Sequence, residues 1–338
     1  MEHGADTTMN NARFQVLDGW RGISILLVLA AHFLPLGPKP WHLNVGAGLL
    51  GMAFFFTLSG FLVTHFLLHN DRVGAFLIRR LFRILPLAWL YMGLVFLLHP
   101  VAHDAMTAHF LFYANYPPKP LIPVTDHLWS LCVEMHFYLG IALLVALLKR
   151  RGLLLIPVLC VAFTLLRVEY GMHYSVITHF RVDEVLAGAS LALIYNDKLG
   201  SGLRTLLQRA FFPAVLLLLL ASCHPDSGVM SYLRPYLAAA TVGSTLFNPH
   251  TRHAEFLGNR VLRYIATISY ALYVLHFFLA DTWLGSGERW EKYAKRPLLI
   301  AALFISAHIS TFYYEQKWIA LGKRFSERNR TGAIYECK

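Results

Sequence analysis

Apolar runs of bilayer-crossing length recur along this chain from near its start to near its end. The hydrocarbon core is spanned by roughly 20 apolar residues, and by somewhat fewer where a helix is buried among others. On that measure the sequence predicts helical cores at 17–36, 46–69, 81–99, 127–148, 152–168, 182–196, 209–224, 230–247, 263–281 and 297–321, about ten spans in all. The run at 182–196 is short and the one at 230–247 is weak. The polar connections are brief. The longest, 100–126, is rich in Pro and His, and the series shows no tandem repeat and no low-complexity stretch.

Composition strengthens that picture. Of 338 residues, 57% are hydrophobic and 14% charged, and the mean hydropathy is +0.50. A soluble domain carries about a quarter charged residues. The fold class is therefore an all-α polytopic membrane protein. Its net charge of +11 does not imply nucleic acid, because the basic residues lie between apolar runs and not on one folded face. Cys132, Cys160 and Cys223 fall within apolar runs and Cys337 in the tail, without a CxxC pair, so they read as small hydrophobes and neither a disulfide framework nor a metal site is expected.

Charge asymmetry sets the orientation. With both termini cytoplasmic, 21 of the 30 Lys and Arg fall on the inner side. The expected organisation is a cytoplasmic segment 1–15, a transmembrane domain 16–324 and a basic cytoplasmic tail 325–338. Arg21 is embedded at the start of the first run and no small-residue cleavage site follows, so that run reads as a retained helix and not a signal peptide.

An ionisable side chain at bilayer depth costs a few kcal/mol on insertion scales, so each one is a functional hypothesis. The stretch LDGWRGISILLVLAAHF, Leu17 to Phe33, carries Asp18, Arg21 and His32. The spacing from Arg21 to His32 is about 1100° of helix rotation, which leaves the two roughly 20° apart on one face and about 16 Å apart along it. Asp18, one turn before Arg21, joins the stripe. Taken alone, the stripe is equally a snorkelling arginine and a histidine bonded to a neighbouring helix.

Two other runs tip that balance. HLWSLCVEMHFYL puts Ser130 and Glu134 on one face, and the topology sets Glu134 in the outer half, at a depth close to that of His32. ISYALYVLHFF puts His276 in the outer third. A carboxylate that orients His32, or holds its proton, makes that imidazole an effective base.

FLIRRLFRILP sets Arg79, Arg80 and Arg83 at the mouth of the third span. Each is individually a topology anchor; as a cluster near Arg21 they are also suited to clamping the phosphates of a large anionic donor. TLSGFL lacks the G-x-S-x-G of a serine hydrolase and lies within a helix, where small residues allow close packing. His99, His103, Asp104 and His109 are expected to be solvated loop residues. Tyr313, Tyr314 and Glu315 are expected to be structural, with Glu315 paired to a nearby Arg or Lys.

LDGWRGISILLVLAAHF resembles the opening signature of the acyltransferase-3 family of membrane O-acyltransferases, with its Arg-x10-His spacing. GMAFFFTLSGFL, FLIRRLFRILPLAW, HLWSLCVEMHFYL, HFRVDEVLAGAS, ISYALYVLH and YYEQKWIALGKR resemble further family signatures in the same order, across residues 16 to 324.

The resemblance implies transfer of an acyl group, usually acetyl, from cytoplasmic acyl-CoA to a hydroxyl, often of a sugar in a surface or secreted glycan. It implies His32 as the catalytic histidine, Arg21 as its partner and Glu134 as the carboxylate of the WSL-x-x-E motif. From the residues themselves, Asp18, Ser130 and His276 are expected to be supporting residues, and Arg79, Arg80 and Arg83 are expected to bind the donor. Trp20, Met135-His136 and Lys317 depart from the common Leu, Glu-Gln and Pro.

The expected partners are acyl-CoA as donor substrate, a glycan or glycolipid acceptor and the lipid bilayer, with no nucleic acid and no permanently bound cofactor. The expected setting is a bacterial inner membrane, without the fused esterase-like domain of some relatives. His32 acts as general base or as a covalent acyl carrier. A proton-coupled transporter using His32, Glu134 and His276 is the rival reading, but it predicts repeats and broken helices that the sequence lacks. A third reading is a non-catalytic membrane assembly factor for a polysaccharide machine, which would tolerate loss of His32.

Overall fold

The computed structural model describes residues 2–335 apart from 71 and 119, and side chains from 15 to 327 with the same two exceptions. Cys337 and the end of the basic tail lie outside the described residues. Those residues form helices and short turns, with no strand among them. In chain order the α-helices are α1 Glu2–Phe33, α2 Leu43–His69, α3 Val73–Leu98, α4 His103–Phe110, α5 Trp129–Leu148, α6 Ile156–Glu169 and α7 Asp183–Tyr195. There follow α8 Ser201–Arg209, α9 Phe212–Ser222, α10 Arg234–Phe247, α11 Arg252–Leu257, α12 Arg260–Ala280, α13 Arg289–Ile309 and α14 Gln316–Tyr335.

Among the described residues, six stretches are long and apolar enough to cross a membrane: Gln15–Phe33, Lys39–His69, Val73–Leu98, Asp126–Glu169, Arg260–Ala280 and Arg289–Glu327. A seventh is added if α8 and α9, bent by 91° to each other, count as one. Asp126–Glu169 takes in two of the ten expected spans. Two more, 182–196 and 230–247, correspond to α7 and α10, of 13 and 14 residues. At 1.5 Å per residue each is about 20 Å long, short of a 30 Å hydrocarbon core.

The chain divides into two compact units, Met1–Leu68 with Leu153–Ser269, and His69–Gly152 with Tyr270–Lys338. The first is built on an apolar core of Leu17, Trp20, Phe54, Phe61, Leu191, Leu246 and their neighbours. Close helix approach is literal here. A Cβ on Gly60 of α2 would stand 1.8 Å from the Val185 carbonyl oxygen, and one on Gly188 of α7 would stand 1.9 Å from that of Thr57. The Ser-Gly pair of TLSGFL is thus a packing device.

Where α6 and α7 meet α10, five charged side chains are wholly buried. Arg167 bonds Asp183 at 2.5 Å, Arg234 bonds Glu184 at 2.8 Å, and Arg181 lies 3.3 Å from Glu184. Both carboxylates sit in the first turn of α7, where the helix dipole also favours them.

The second unit packs α3 along α14. Phe82 lies against Trp318 and Phe325, with ring centroids 6.4 and 5.6 Å away. Between α13 and α14 the ladder loosens into a π-helical segment, Ser310–Glu315. Pro86, inside α3, cannot donate a backbone hydrogen bond. Around it two tyrosine hydroxyls dock on α3 carbonyls, Tyr270 on Ile84 at 2.6 Å and Tyr314 on Pro86 at 3.2 Å.

The 100–126 connection corrects its expectation in part. His103 and Asp104 are exposed on α4, but His109 is buried. Its Nδ1 donates to the Ala105 carbonyl at 2.7 Å and its Nε2 meets Thr125 Oγ1 at 2.9 Å, so the helix and the loop hold it in place of solvent. Burial lowers its pKa from the ordinary 6.5. His99 is paired with Asp281 at 2.8 Å.

Candidate functional site

In the first unit the candidate residues lie on α1. Asp18 is exposed, Arg21 half-buried and His32 exposed in the last turn. The intervening residues anchor the helix. Trp20 donates its indole N–H to Thr245 Oγ1 at 2.9 Å and packs on Phe54, with ring centroids 4.3 Å apart. That is why a tryptophan suits this position. Ser24 donates to the Gly51 carbonyl at 2.8 Å. A Cβ on Gly19 would stand 2.1 Å from the Leu257 carbonyl oxygen, so α1 rests directly on that backbone.

The imidazole of His32 makes one informative bond. Its Nδ1 lies 2.8 Å from the Val28 carbonyl oxygen, one turn earlier. A carbonyl only accepts, so Nδ1 carries the hydrogen and Nε2 holds the basic lone pair.

In the second unit α5 presents Ser130, Glu134 and Tyr138 along one face, at a spacing of four residues. Tyr138 donates its hydroxyl to the Glu134 carboxylate. The Arg80 guanidinium lies over the Tyr138 ring at 5.5 Å and over the Phe76 ring at 5.9 Å, geometry that favours a cation. Arg83 lies on α3 one turn beyond Arg80. Arg79 turns the other way and donates to Ser326 Oγ of α14 at 2.9 Å.

α3 begins at Val73, so Arg80 and Arg83 lie about 10 and 15 Å along its axis.

Ser130 shares a 2.5 Å hydrogen bond with the Tyr273 hydroxyl. His276 donates Nδ1 to the Tyr273 carbonyl, and His127 donates Nε2 to the Val274 carbonyl at 3.1 Å. The two imidazoles have ring centroids 4.8 Å apart, and both are buried. The second unit thus gathers Ser130 and His276 at one end of α5 and Glu134, Arg80 and Arg83 further along it.

Sequence reasoning missed Tyr138, His127 and Tyr273. The signal for Tyr138 was present, since it lies one helical turn from Glu134. Glu315 was expected to make an ion pair. Instead it is buried and accepts from the hydroxyls of Ser310 and Thr311 at 3.0 and 3.1 Å. Cys132, Cys160 and Cys223 are buried thiols, as expected of small hydrophobes.

The sequence matches the profile of the acyltransferase-3 family, described as an acyltransferase domain, over residues 14–315. It is 28% identical over 323 residues to a candidate peptidoglycan O-acetyltransferase of Bacillus subtilis (strain 168), covering 77% of this chain and 48% of that one. It is 28% identical over 320 residues to a candidate O-acetyltransferase of Staphylococcus aureus (strain COL), covering 77% and 50%. It is 26% identical over 360 residues to the peptidoglycan O-acetyltransferase OatA of Listeria monocytogenes, covering 88% and 54%. The chain spans about half the length of these curated relatives. No solved structure gives a significant match.

Proposed function

The chain belongs to the acyltransferase-3 family, and from that membership we propose that it is a membrane O-acetyltransferase that moves acetyl from cytoplasmic acyl-CoA to a glycan hydroxyl. The observation that carries the reading is the Nδ1–H to Val28 bond of His32, which leaves Nε2 as a base. In the reaction, Nε2 removes the proton of the acceptor hydroxyl as its oxygen bonds the thioester carbonyl carbon. The C–S bond then breaks, and the imidazolium returns the proton to the departing thiolate. Glu134 is the carboxylate of the reaction and Arg21 supports His32.

Arg80 and Arg83 hold the donor phosphates. Arg79, tied to Ser326, is a weaker candidate for that role. Acyl-CoA is a substrate and no resident cofactor is invoked.

The relatives support a glycan acceptor, since these three are named for O-acetyl transfer and two of them for peptidoglycan. A bacterial inner membrane with both termini cytoplasmic is the orientation that the charge asymmetry supports. Three of the nine basic residues on the outer side of that topology, Arg167, Arg181 and Arg234, are engaged with buried carboxylates, which lessens their weight against it.

The test is mass spectrometry of cell-surface glycans with and without the gene. A mass difference of one acetyl group, restored by the wild-type gene but not by His32→Ala, is the expected result. Identical glycans in the two strains would exclude the reading.

A further inference from the structure

We propose that α8 is an interfacial helix: Leu203, Leu206 and Phe211 lie at the acyl-chain boundary of one leaflet, and Arg209 beside them holds the phosphate of an anionic phospholipid. None of these residues takes part in the acyl transfer proposed above.

The direction of α8 follows from that of α9. Phe212, at the start of α9, packs on Trp20 of α1, with ring centroids 6.3 Å apart. Just past the other end of α9, the Cys223 carbonyl oxygen would lie 3.6 Å from a Cβ on Gly46 of α2. Two residues on, a Cβ on Gly48 would lie 3.5 Å from the Ala31 side chain of α1. Helix α9 therefore runs beside α1 from the level of Trp20 to that of Ala31, along the membrane normal. Bent by 91° from α9, α8 lies in the membrane plane.

Its depth is also set. Trp20 stands five residues into the apolar stretch that begins at Gln15, about 8 Å along the helix axis. Interfacial helices rest with their apolar face roughly 5–10 Å into the boundary between headgroups and acyl chains.

The side chains of α8 suit that position. Leu206, Leu203 and Leu207 fall on one arc of the helix about 100° wide. Leu207 closes on the core of the unit. Leu203 and Leu206 are 43% and 65% exposed, and Phe211, at the bend, is 71% exposed.

The edge of α8 beside Leu207 is pinned. Arg204 bonds Asp197 at 2.8 Å and lies over the Phe247 ring at 5.7 Å, and Asn248 donates to the Gln208 carbonyl at 2.9 Å. These contacts hold the apolar face outward. Arg209 stands on the other edge, exposed and one turn from Leu206. A guanidinium at that level meets lipid phosphates, and its charge favours an anionic over a zwitterionic lipid.

The test uses the full chain carrying Cys337→Ser, because Cys132, Cys160 and Cys223 are buried. It is reconstituted in vesicles of phosphatidylcholine and phosphatidylglycerol. A bimane probe is attached at Leu206→Cys or at Gln208→Cys, which lies 200° further round the helix. Lipids brominated on their acyl chains are expected to quench the probe at 206, and aqueous iodide the probe at 208. Iodide reaching both positions equally overturns the interfacial placement. Shielding of position 206 from both quenchers, as a covering protein would give, overturns it too.

Moving the bromine from phosphatidylcholine to phosphatidylglycerol tests the headgroup. The probe at 206 is expected to report a preference of about fivefold for the anionic lipid, the effect of one basic residue at such a surface. Arg209→Gln is expected to bring the two lipids close to parity. Equal quenching with Arg209 intact overturns the anionic-lipid assignment, and a preference that survives Arg209→Gln overturns the role of Arg209.

Discussion

His32 and Val28 are joined by a 2.8 Å hydrogen bond from the ring Nδ1 to the carbonyl one turn earlier on α1. The bond fixes the tautomer and leaves Nε2 basic, as a general base requires. His32→Ala is expected to abolish acetyl transfer. His32 is exposed, so the change should move stability by no more than about 0.5 kcal/mol. A transfer assay beside a thermal melt checks both halves; activity surviving in a folded variant would remove His32 from the chemistry.

Glu134 and Tyr138 separate charge from hydrogen bonding. Glu134→Gln retains an acceptor for the Tyr138 hydroxyl and loses only the charge. If the carboxylate serves the reaction, turnover should fall by about 10²-fold or more. Tyr138→Phe keeps the ring beneath Arg80 and should lower turnover less. A Gln variant with near-normal kcat would make Glu134 a brace within α5.

The three arginines of α3 should behave differently. Arg79→Gln removes a hydrogen bond to Ser326 and should cost about 0.5–1.5 kcal/mol of stability with little effect on donor affinity. Arg80→Gln should weaken donor binding, since a charge-assisted phosphate contact is worth about 1.5–3 kcal/mol. Isothermal titration with CoA distinguishes the two; equal losses in both variants would contradict the division.

Gly60 and Gly188 test the α2–α7 contact. Alanine at either site places a Cβ within 2 Å of backbone oxygen, so the helices must separate. Overpacking of this kind typically costs about 1–3 kcal/mol. Both variants should melt earlier than wild type, whereas Gly93→Ala on α3, where a Cβ meets nothing within 4 Å, should not.

His109 predicts a direction with pH. Burial lowers its folded-state pKa below the ordinary 6.5, so the unfolded chain takes up the proton first on acidification. Its contribution is fully present above that ordinary value and is lost as pH falls below it. Melting temperatures measured downward from pH 8 should show a limb that His109→Gln lacks.

The apolar runs were legible because bilayer-length hydrophobicity survives local detail, and His32, Glu134 and Arg83 were legible because charge inside such a run is conspicuous. The first turns of α3 were not. Hydropathy discounts Arg79 and Arg80, whereas the structure compensates one with Ser326 and the other with aromatic rings. His109 was assigned to solvent because its partner Thr125 lies beyond the helix, outside any local pattern. The π segment was illegible for a similar reason. Nothing in STFYYE announces it, and its tyrosine is anchored to a carbonyl more than 200 residues earlier in the chain.

The buried network of Arg167, Asp183, Glu184 and Arg234 has a consequence for biogenesis. Helix α7 brings two carboxylates into the protein interior, and the arginine that bonds Glu184 at 2.8 Å follows 50 residues later in the chain. Leaving either partner alone in hydrocarbon is costly. When α7 is made, Asp183 already has Arg167 of α6 and Glu184 has Arg181 beside it, but the shorter 2.8 Å bond of Glu184 to Arg234 can form only once α10 has followed. Assembly of the first unit is in this sense a matter of timing, with the late arrival of Arg234 closing a circuit that α6 and α7 leave open.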